Sequence, residues 1–243
     1  MIRVLLINQS IIPHFRVPVY GYLSRYLHKY GFEFIVASTG IQSGNPHPID
    51  FHYAEIPLSV WSLTRFISRQ QIDVIISWVD MKHLYLFPVY FTAKVLLGKK
   101  MIYWGQGGDL LDREARIKNL AYATEQAICD AIILYAEHLK KYVPDRFHKK
   151  VFVANNTLCM DYQGLPPGEK DNILSEYGIH TKKNIICMGR MQRRKRVEHL
   201  VEALAYMKRP DTGLILVGPD QDGILSKIEG DNIYKLGPIY GER

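Results

Sequence analysis

Short apolar runs rich in Val and Ile alternate along the chain with longer segments in which apolar residues recur every three or four positions. Runs of the first kind are typical of strands buried on both faces, and the second spacing predicts helices with one apolar face. The pattern predicts strands at 3–7, 32–38, 51–56, 74–78, 101–104, 131–134, 151–154, 184–188, 213–217 and 232–236. It predicts helices at 17–30, 63–71, 82–97, 112–128, 137–143, 196–207 and 222–228. Because strands and helices alternate, we expect parallel sheets covered on both faces, which is the α/β class.

A segment of turn-forming residues divides this pattern into two parts. Residues 163–170 are rich in Pro and Gly and poor in apolar residues, which is typical of an interdomain linker. We therefore expect one complete Rossmann-like domain over 1–162 and a second domain over 171–243. The second part carries only a β-α-β-α-β pattern, which is half of a doubly wound nucleotide-binding domain.

Composition narrows the possible partners. The length of 243 residues, at roughly 150 residues per domain, corresponds to about 1.6 domains. A hydrophobic content of 47% with 23% charged residues excludes a disordered chain. Lys and Arg exceed Asp and Glu by 31 − 24 = 7, and this positive charge favours an anionic partner, which is phosphate, an acidic lipid surface or nucleic acid.

The cysteines and the longest apolar stretch indicate where in the cell the protein is located. Cys129, Cys159 and Cys187 have no CxxC spacing, so we interpret them as reduced thiols of a cytoplasmic protein. The apolar stretch 84–97 is shorter than the roughly 20 residues that span a bilayer. A buried helix and an interfacial segment both remain open for it.

The first predicted helix has a face that is both basic and aromatic. Tyr22, Arg25 and Lys29 lie on this face. Such a face either is simply solvated or lies on an anionic lipid surface. A peripheral position on the inner face of the cell membrane is therefore one hypothesis for the protein.

The strongest chemical signal lies between the predicted strand 184–188 and the helix that follows it. Ligands of open α/β sheets bind at the carboxyl ends of strands, where helix N-termini also favour anions. Gly189 lets the backbone approach a ligand, Arg190 can bind phosphate through two N–H groups, and Lys195 adds a point charge. The alternatives are a solvated basic loop and a nucleic-acid patch over 193–196. No GxxxxGK[ST] pattern occurs, which argues against a Walker-type nucleotide hydrolase.

Three blocks of the sequence resemble one known family. Residues 189–191, Lys195 and 197–203 resemble the GR(L)xxxK(G) block, with its following hydrophobic helix, of GT-B glycosyltransferases of the family 4 type. Residues 214–220 resemble the next strand of that family, which ends in VGxG or VGxD, and 232–237 resemble its "NVxFLG" strand. The resemblance covers the last third of the chain well. Before that third it rests on strand order and on short patches such as 131–137 and 155–157.

The resemblance implies a fold, a reaction and a donor site. It implies two Rossmann-like domains that close over a UDP- or GDP-linked sugar, which is transferred with retention of configuration to a saccharide or lipid-linked acceptor. It implies that Gly189, Arg190 and Lys195 contact the diphosphate, and it makes Gly218 and Asp220 possible donor-side residues. The pathway implied is synthesis of a cell-surface polysaccharide or glycoconjugate. No cofactor or metal is expected, because no His, Cys or carboxylate spacing typical of a metal site occurs.

The sequence departs from this family at two places in the donor domain. Arg196 stands where the family usually has Gly, which adds positive charge. The family also binds the sugar and ribose through a later E-x7-E segment, and no two glutamates here have that spacing. We therefore expect a truncated donor domain with a diphosphate site but without a sugar site. A partner chain that completes this domain is a further expectation.

Candidate acceptor residues follow two strands of the first domain. Gly105, Gln106, Gly107 and Asp109 come after the strand at 101–104, in a region where the family often has a His-Gly pair near the reaction centre. Gln106 takes the His position, so acid–base catalysis there is excluded, although its amide can still bind a sugar hydroxyl. A purely structural turn is the alternative. No residue is assigned as catalytic.

The loop after the first strand provides two more candidates. His14 and Arg16 lie in this loop and either meet an acceptor phosphate or belong to an ordinary polar loop.

These observations leave two main hypotheses. The first is a metal-independent glycosyltransferase in which cationic side chains stabilise the leaving diphosphate. The second is a non-catalytic remnant of a truncated or split gene that binds nucleotide, acceptor or a partner chain. We do not expect nucleic-acid binding, because aromatic residues do not interleave the basic segment and no helix-turn-helix pattern occurs.

Overall fold

The computed structural model describes residues 1–78, 81–109, 116–157 and 164–239. The chain divides into two compact units, Met1–Met160 and Asp161–Arg243. The start of the helix expected at 112, Cys159 and the two residues that flank the expected domain boundary, 162 and 163, lie outside the described residues.

A parallel sheet of seven strands organises the first unit. Its strands are β1 (Ile2–Ile7), β2 (Phe32–Ser38), β3 (His52–Glu55), β4 (Val74–Ser77), β5 (Lys100–Gly105), β6 (Ala131–Leu134) and β7 (Val151–Val153). Their order in the sheet is β3-β2-β1-β4-β5-β6-β7, and every neighbouring pair is parallel. The order reverses between β1 and β4, where Leu5 lies opposite Ile35 on one side and Ile75 on the other. Open α/β sheets bind ligands beyond the carboxyl ends of the strands at such a reversal.

Helices cover both faces of this sheet. The α-helices are α1 (Val17–His28), α2 (Val60–Arg69), α3 (Phe87–Phe91) and α4 (Arg116–Ile128). Short 3₁₀ segments lie at His14–Arg16, Met81–Leu86, Glu137–Tyr142 and Asp145–Lys150, and one π turn lies at Thr92–Leu96.

Alternation along the strands sends side chains into two separate cores. Leu5 and Ile7 belong to one buried cluster, which Leu63 of α2 and Val89 of α3 also join. Leu6 belongs to the other cluster, with residues of α1. Each fully buried aliphatic side chain contributes roughly 1.5–3 kcal/mol to the free energy of unfolding. The two cores therefore hold the carboxyl ends of the strands in fixed positions.

The second unit contains a smaller sheet. Its strands β8 (Lys183–Met188), β9 (Thr212–Val217) and β10 (Ile233–Gly237) are parallel, in the order β10-β9-β8. The helices are α5 (Glu169–Glu176) and α6 (Val197–Met207), with 3₁₀ turns at Arg193–Lys195 and Leu225–Lys227. Met191, Val197, Leu214, Leu216, Ile224 and Ile228 form the core of this unit. β8 is an edge strand among the described residues, and Ile186 and Met188 are exposed on it.

The structure differs from the predicted helices at four places. The helix expected at 137–143 is the 3₁₀ segment Glu137–Tyr142. The helix expected at 82–97 is split into the 3₁₀ segment, α3 and the π turn, and Pro88 stands in the first turn of α3. Proline is favoured at a helix start and excluded from a helix interior, so one continuous helix cannot form there. The helix expected at 222–228 reduces to the turn Leu225–Lys227, because Gly223 adopts a left-handed conformation with φ +65°. Helix α5 was not predicted, since none of its residues is buried and it lacks an apolar stripe.

No helix among the described residues is both long enough and apolar enough to cross a bilayer.

Candidate functional site

Two glycines meet where β8 and β9 end. Gly189 donates its N–H to Val217 O at 2.8 Å, and Gly218 donates its N–H to Gly237 O at 2.7 Å. Their φ angles are +124° and +136°, a region that favours glycine. A Cβ atom at residue 218 would lie 2.1 Å from the carbonyl oxygen of Gly189. The two strand ends therefore approach each other closely, and only glycine at 218 permits this contact.

Beyond the glycines, backbone hydrogen bonds continue to join the loop that follows β8 to the loop that follows β9. Met191 donates its N–H to Pro219 O at 2.9 Å, and Gln221 donates its N–H to Met191 O at 3.2 Å. Arg193 donates its backbone N–H to Asp222 Oδ2 at 2.8 Å. The backbone of the basic loop is thus held by hydrogen bonds while its long side chains extend into solvent.

The basic loop concentrates positive charge at the start of α6. The five cations of this loop are Arg190, Arg193, Arg194, Lys195 and Arg196, and all are exposed. Among the described residues, no carboxylate oxygen lies within 4.0 Å of any of their charged nitrogens. Helix α6 has no side-chain cap at its N-terminus, so its first N–H groups add a positive dipole end. Uncompensated cations beside a helix N-terminus form an arrangement suited to phosphate.

Lys195 lies directly over Gly189. A Cβ atom at residue 189 would be 2.8 Å from Lys195 Nζ. The absence of a side chain at 189 therefore lets the ammonium group lie against the backbone at the end of β8. The structure brings together Gly189 and Lys195, two of the three residues expected to hold a diphosphate, and it places the third, Arg190, next in the same loop.

Asp220 has a structural use in the second unit. Its Oδ1 accepts the N–H of Ile224 and its Oδ2 accepts the N–H of Leu225, both at 2.9 Å. The carboxylate thus caps the short turn Leu225–Lys227. Gly218, the other possible donor-side residue, supports the close approach of the strand ends described above.

The loop after β1 places its two candidate residues next to different strands. The Nδ1 atom of His14 lies 3.0 Å from Oε1 of Gln42, which is in the loop after β2. Arg16 lies with its guanidinium carbon 6.0 Å from the ring centre of Trp104 near the end of β5, and 5.9 Å from that of Phe15. Arg16 and the turn after β5 are therefore neighbours at the reversal of the sheet, whereas His14 lies toward β2.

The glycine-rich turn after β5 is held by buried side chains. Gly107 adopts φ +82° and donates its N–H to Tyr103 Oη at 3.0 Å, while its carbonyl accepts Nε2 of Gln126 at 2.7 Å. A Cβ atom at residue 105 would lie 2.6 Å from Tyr103 Oη, so Gly105 is required by this packing. Gln106, between the two glycines, is exposed. Burial raises the pKa of Tyr103 well above its usual range, so its phenol stays protonated as a hydrogen-bonding group.

Asp109 lies on the rim of a pocket in the same unit. Its Oδ2 atom is 2.8 Å from Nζ of Lys118, and only 14% of the Asp109 side chain is exposed. The pocket has a volume of about 330 Å³, at the lower end of the range of small-molecule sites. Its described lining includes Gly107, Gly108, Asp109, Asn119, Tyr122, Gln126 and Tyr142.

Sequence reasoning did not identify a buried polar cluster beneath this edge of the sheet. Glu125 and Gln126 of α4 are both 0% exposed, and Ser77 at the end of β4 donates its hydroxyl to Glu125 Oε1 at 3.0 Å. Gln9, just after β1, donates Nε2 to Tyr90 Oη at 2.7 Å. Burial, followed by the Glu125 charge, raises the pKa of Tyr90. The spacing of positions 122, 125, 126 and 129 shows that they share one face of the helix, but Glu and Gln there do not indicate that this face is buried.

Among the described residues, no group of three or more His, Cys, Asp or Glu side chains is placed to hold a metal ion.

This chain resembles known proteins in fold and not in sequence. Neither the protein-family models nor the curated protein sequences match this chain. The structure is similar to HepE of Anabaena, solved in complex with UDP-glucose, with a TM-score of 0.72 and 13% identity over 99% of this chain and 70% of HepE. It is similar to a glycosyltransferase of Rickettsia africae, with a TM-score of 0.71 and 15% identity over 98% of this chain and 68% of the other.

A third similar structure comes from a different class of protein. It is a Listeria monocytogenes protein assigned as a UDP-N-acetylglucosamine 2-epimerase, with a TM-score of 0.62 and 16% identity over 98% of this chain and 69% of the other. The fold of this chain is α/β and GT-B-like, as expected from the sequence.

Proposed function

We propose that this protein is a glycosyltransferase that binds the diphosphate of a UDP- or GDP-linked sugar at Gly189, Arg190 and Lys195. The observation that carries the proposal is the basic loop, in which five exposed cations without an ion pair among the described residues precede the uncapped helix α6. A diphosphate supplies the negative charge that these groups lack. The fold shared with HepE, whose structure was solved with UDP-glucose, supports the same ligand class.

The proposed chemistry follows from this charge. As the bond between the sugar and the diphosphate breaks, negative charge grows on the leaving oxygen. Arg190 offers paired N–H donors and Lys195 offers a compact ammonium group, and both stabilise that charge more strongly than they stabilise the bound donor. We propose a family 4 type, retaining reaction without a metal ion, with a saccharide or lipid-linked acceptor of cell-surface glycoconjugate synthesis.

A thermal-shift experiment tests the donor site. UDP or GDP should raise the melting temperature of the wild-type chain, and Arg190→Ala with Lys195→Ala should abolish the increase. The matched control is Lys182→Ala with Arg209→Ala, which removes two exposed cations outside the basic loop of the same unit and should preserve the increase. An unchanged nucleotide effect in the first double variant would refute the assignment.

The reaction itself needs a separate assay. A panel of UDP- and GDP-sugars is incubated with the protein and saccharide acceptors, and the products are identified by NMR spectroscopy. Transfer releases the nucleoside diphosphate and forms a new glycoside. An epimerase would instead change the configuration of the sugar. Nucleotide binding without either product would favour a non-catalytic binding protein.

We also propose a peripheral position at the cytoplasmic face of a membrane. The support is the exposed stripe of Tyr22, Tyr26 and Tyr30, which runs along α1 and just past its end, beside Lys29. Arg25 lies on the same face and forms an ion pair with Asp50. Amphipathic aromatic rings and cations together favour the interface of anionic lipids. Co-sedimentation with vesicles containing phosphatidylglycerol should be strong at low salt and weak at high salt. Equal binding to neutral vesicles would contradict an electrostatic contribution.

A further inference from the structure

Two neighbouring side chains near the end of β5, Trp104 and Arg16, carry donor groups that lack an acceptor among the described residues. The indole Nε1 of Trp104 is buried and has no hydrogen-bond partner among the described residues. The guanidinium group of Arg16 lies over the same ring, with its central carbon 6.0 Å from the ring centre. No described carboxylate lies within 4.0 Å of the charged nitrogens of Arg16.

The Trp104 indole N–H and the Arg16 guanidinium would both be stabilised by a bound anion. A buried N–H group without an acceptor lowers the stability of the fold, and a partly buried cation is more stable beside a counterion. Tyr20 also lies within range of this charge, because burial raises the pKa of Tyr20 to about 12 while Arg16 opposes that rise. The Tyr20 phenol is therefore neutral at physiological pH and cannot serve as the counterion.

We propose that Arg16 and Trp104 form a phosphate-binding subsite in the first unit. One phosphate group accepts two N–H donors from the guanidinium fork and one from the indole. A phosphate group has enough terminal oxygens to accept all three donors, and acetate in the experiment below tests whether a carboxylate does the same. The position at the reversal between β1 and β4 is where α/β sheets bind ligands. Since Trp104 Nε1 is buried, binding requires the partly exposed Arg16 side chain to move and admit the group.

This inference goes beyond the proposed function, because it concerns a phosphate bound by the first unit and not by the basic loop. The phosphate belongs either to a nucleotide or to a phosphorylated saccharide or lipid headgroup. Both sources present the same terminal oxygens, so the experiment compares them directly.

The test uses the indole N–H signals of the three tryptophans, Trp61, Trp78 and Trp104, in ¹H–¹⁵N NMR spectra of the full chain. Titration with inorganic phosphate should move the Trp104 signal downfield in proton shift and leave that of Trp61, which is 72% exposed, in place. Trp104→Phe identifies the signal. Sodium chloride at equal ionic strength and sodium acetate are the controls. No movement of the Trp104 signal with phosphate, or the same movement with chloride, overturns the proposal.

Variants separate this subsite from the donor site. Arg16→Gln should weaken phosphate binding about tenfold or more, since a hydrogen bond to a charged group is worth roughly 1.5–3 kcal/mol. Arg69→Gln removes an equivalent exposed charge from α2 and should leave the affinity unchanged. In the Arg190→Ala, Lys195→Ala background the Trp104 response should persist, so failure of one site does not imply failure of the other. An unaltered response in Arg16→Gln would overturn the proposal even if Trp104→Phe fails to fold.

Two ligands then distinguish the source of the phosphate. In the Arg190→Ala, Lys195→Ala background, UDP and glycerol 3-phosphate are titrated separately. A response to glycerol 3-phosphate alone supports a phosphorylated acceptor, and a response to UDP alone supports a nucleotide. A response to neither, despite binding of inorganic phosphate, overturns the subsite as a place for organic phosphates.

Discussion

The carbonyl oxygen of Gly189 lies so close to the α-carbon of Gly218 that a Cβ atom on residue 218 would be 2.1 Å from it. This contact joins the ends of β8 and β9 and positions the loop that carries Arg190 and Lys195. Because the contact is between backbone atoms, no side-chain movement can relieve a clash there.

Gly218→Ala should therefore destabilise the second unit strongly. We expect a loss of about 3 kcal/mol or more in its free energy of unfolding, from the clash and from the unfavourable φ of +136°. Hydrogen exchange of peptides from β8 and β9 measures this. Gly223→Ala is the control, since residue 223 also has positive φ but nothing lies within 4 Å of its added Cβ. Equal effects of the two variants would show that strain, and not the contact, matters.

Arg196→Gly should stabilise the second unit. Arg196 precedes α6 with φ +51° and ψ +45°, a left-handed conformation that costs a non-glycine residue roughly 1–2 kcal/mol. Glycine removes that cost but loses some entropy on folding, so a net gain of about 0.5–1 kcal/mol is expected. Slower hydrogen exchange of the α6 backbone amides would demonstrate this gain in stability. Arg194→Gly, within the 3₁₀ turn and without positive φ, should have the opposite sign.

Gln126→Ala should destabilise the first unit, whereas Gln106→Ala should not. Gln126 is 0% exposed, and its loss leaves the carbonyl of Gly107 buried without its 2.7 Å hydrogen bond. We expect a loss of about 2–4 kcal/mol from the unpaired carbonyl and the cavity together. Urea unfolding followed by tryptophan fluorescence measures it, because all three tryptophans lie in this unit. A similar loss for exposed Gln106 would contradict the structural assignment of the turn.

Asp130→Asn should lower stability at neutral pH and leave it unchanged in acid. Partial burial alone would raise the pKa of Asp130, but the Lys94 ammonium at 2.6 Å and the Met101 N–H at 2.9 Å lower it overall. A lowered pKa means that the carboxylate stabilises the fold above its unfolded pKa of about 3.9, and that this stability is lost as pH falls through the folded pKa. We expect a difference of about 1–2 kcal/mol at pH 7 that shrinks as the pH falls below about 3.9 and through the lower folded pKa.

The control for this prediction is Asp145→Asn. The Asp145 side chain is fully exposed, so the substitution should change the free energy of unfolding little at any pH. Chemical denaturation at several pH values compares the two variants. A difference for Asp130→Asn that stays constant with pH would show that shape, and not charge, is responsible.

The sequence predicted the bounds of the strands more accurately than those of the helices. β2 and β6 begin and end where the apolar pattern predicts, because strands buried on both faces need continuous runs of Val, Ile, Leu and Phe. Helix α5 buries none of its residues, so no periodic pattern marked it. The break in the helix expected at 82–97 could have been predicted from Pro88, because proline is favoured in the first turn of a helix and therefore indicates a helix start there.

The sequence indicated some features of the candidate site and not others. Glycine followed by clustered cations between a strand and a helix indicated an anion site at Gly189, Arg190 and Lys195, and these residue assignments stay predictions. The clash that requires glycine at 218 was not visible, since it depends on the distance between two separate loops. The use of Asp220 as a cap was also hidden, because a carboxylate in sequence does not show which N–H groups it will meet.

The sequence by itself determined the α/β class, the alternation of elements and the concentration of positive charge before α6, because these depend on residue type and local spacing. Only the tertiary structure decided the strand order with its reversal between β1 and β4, the burial of Glu125 and Gln126, and the meeting of Arg16 with Trp104. Arg16 and Trp104 are far apart in the chain, and only the pairing of distant strands, driven by burial of their apolar faces, brings them together.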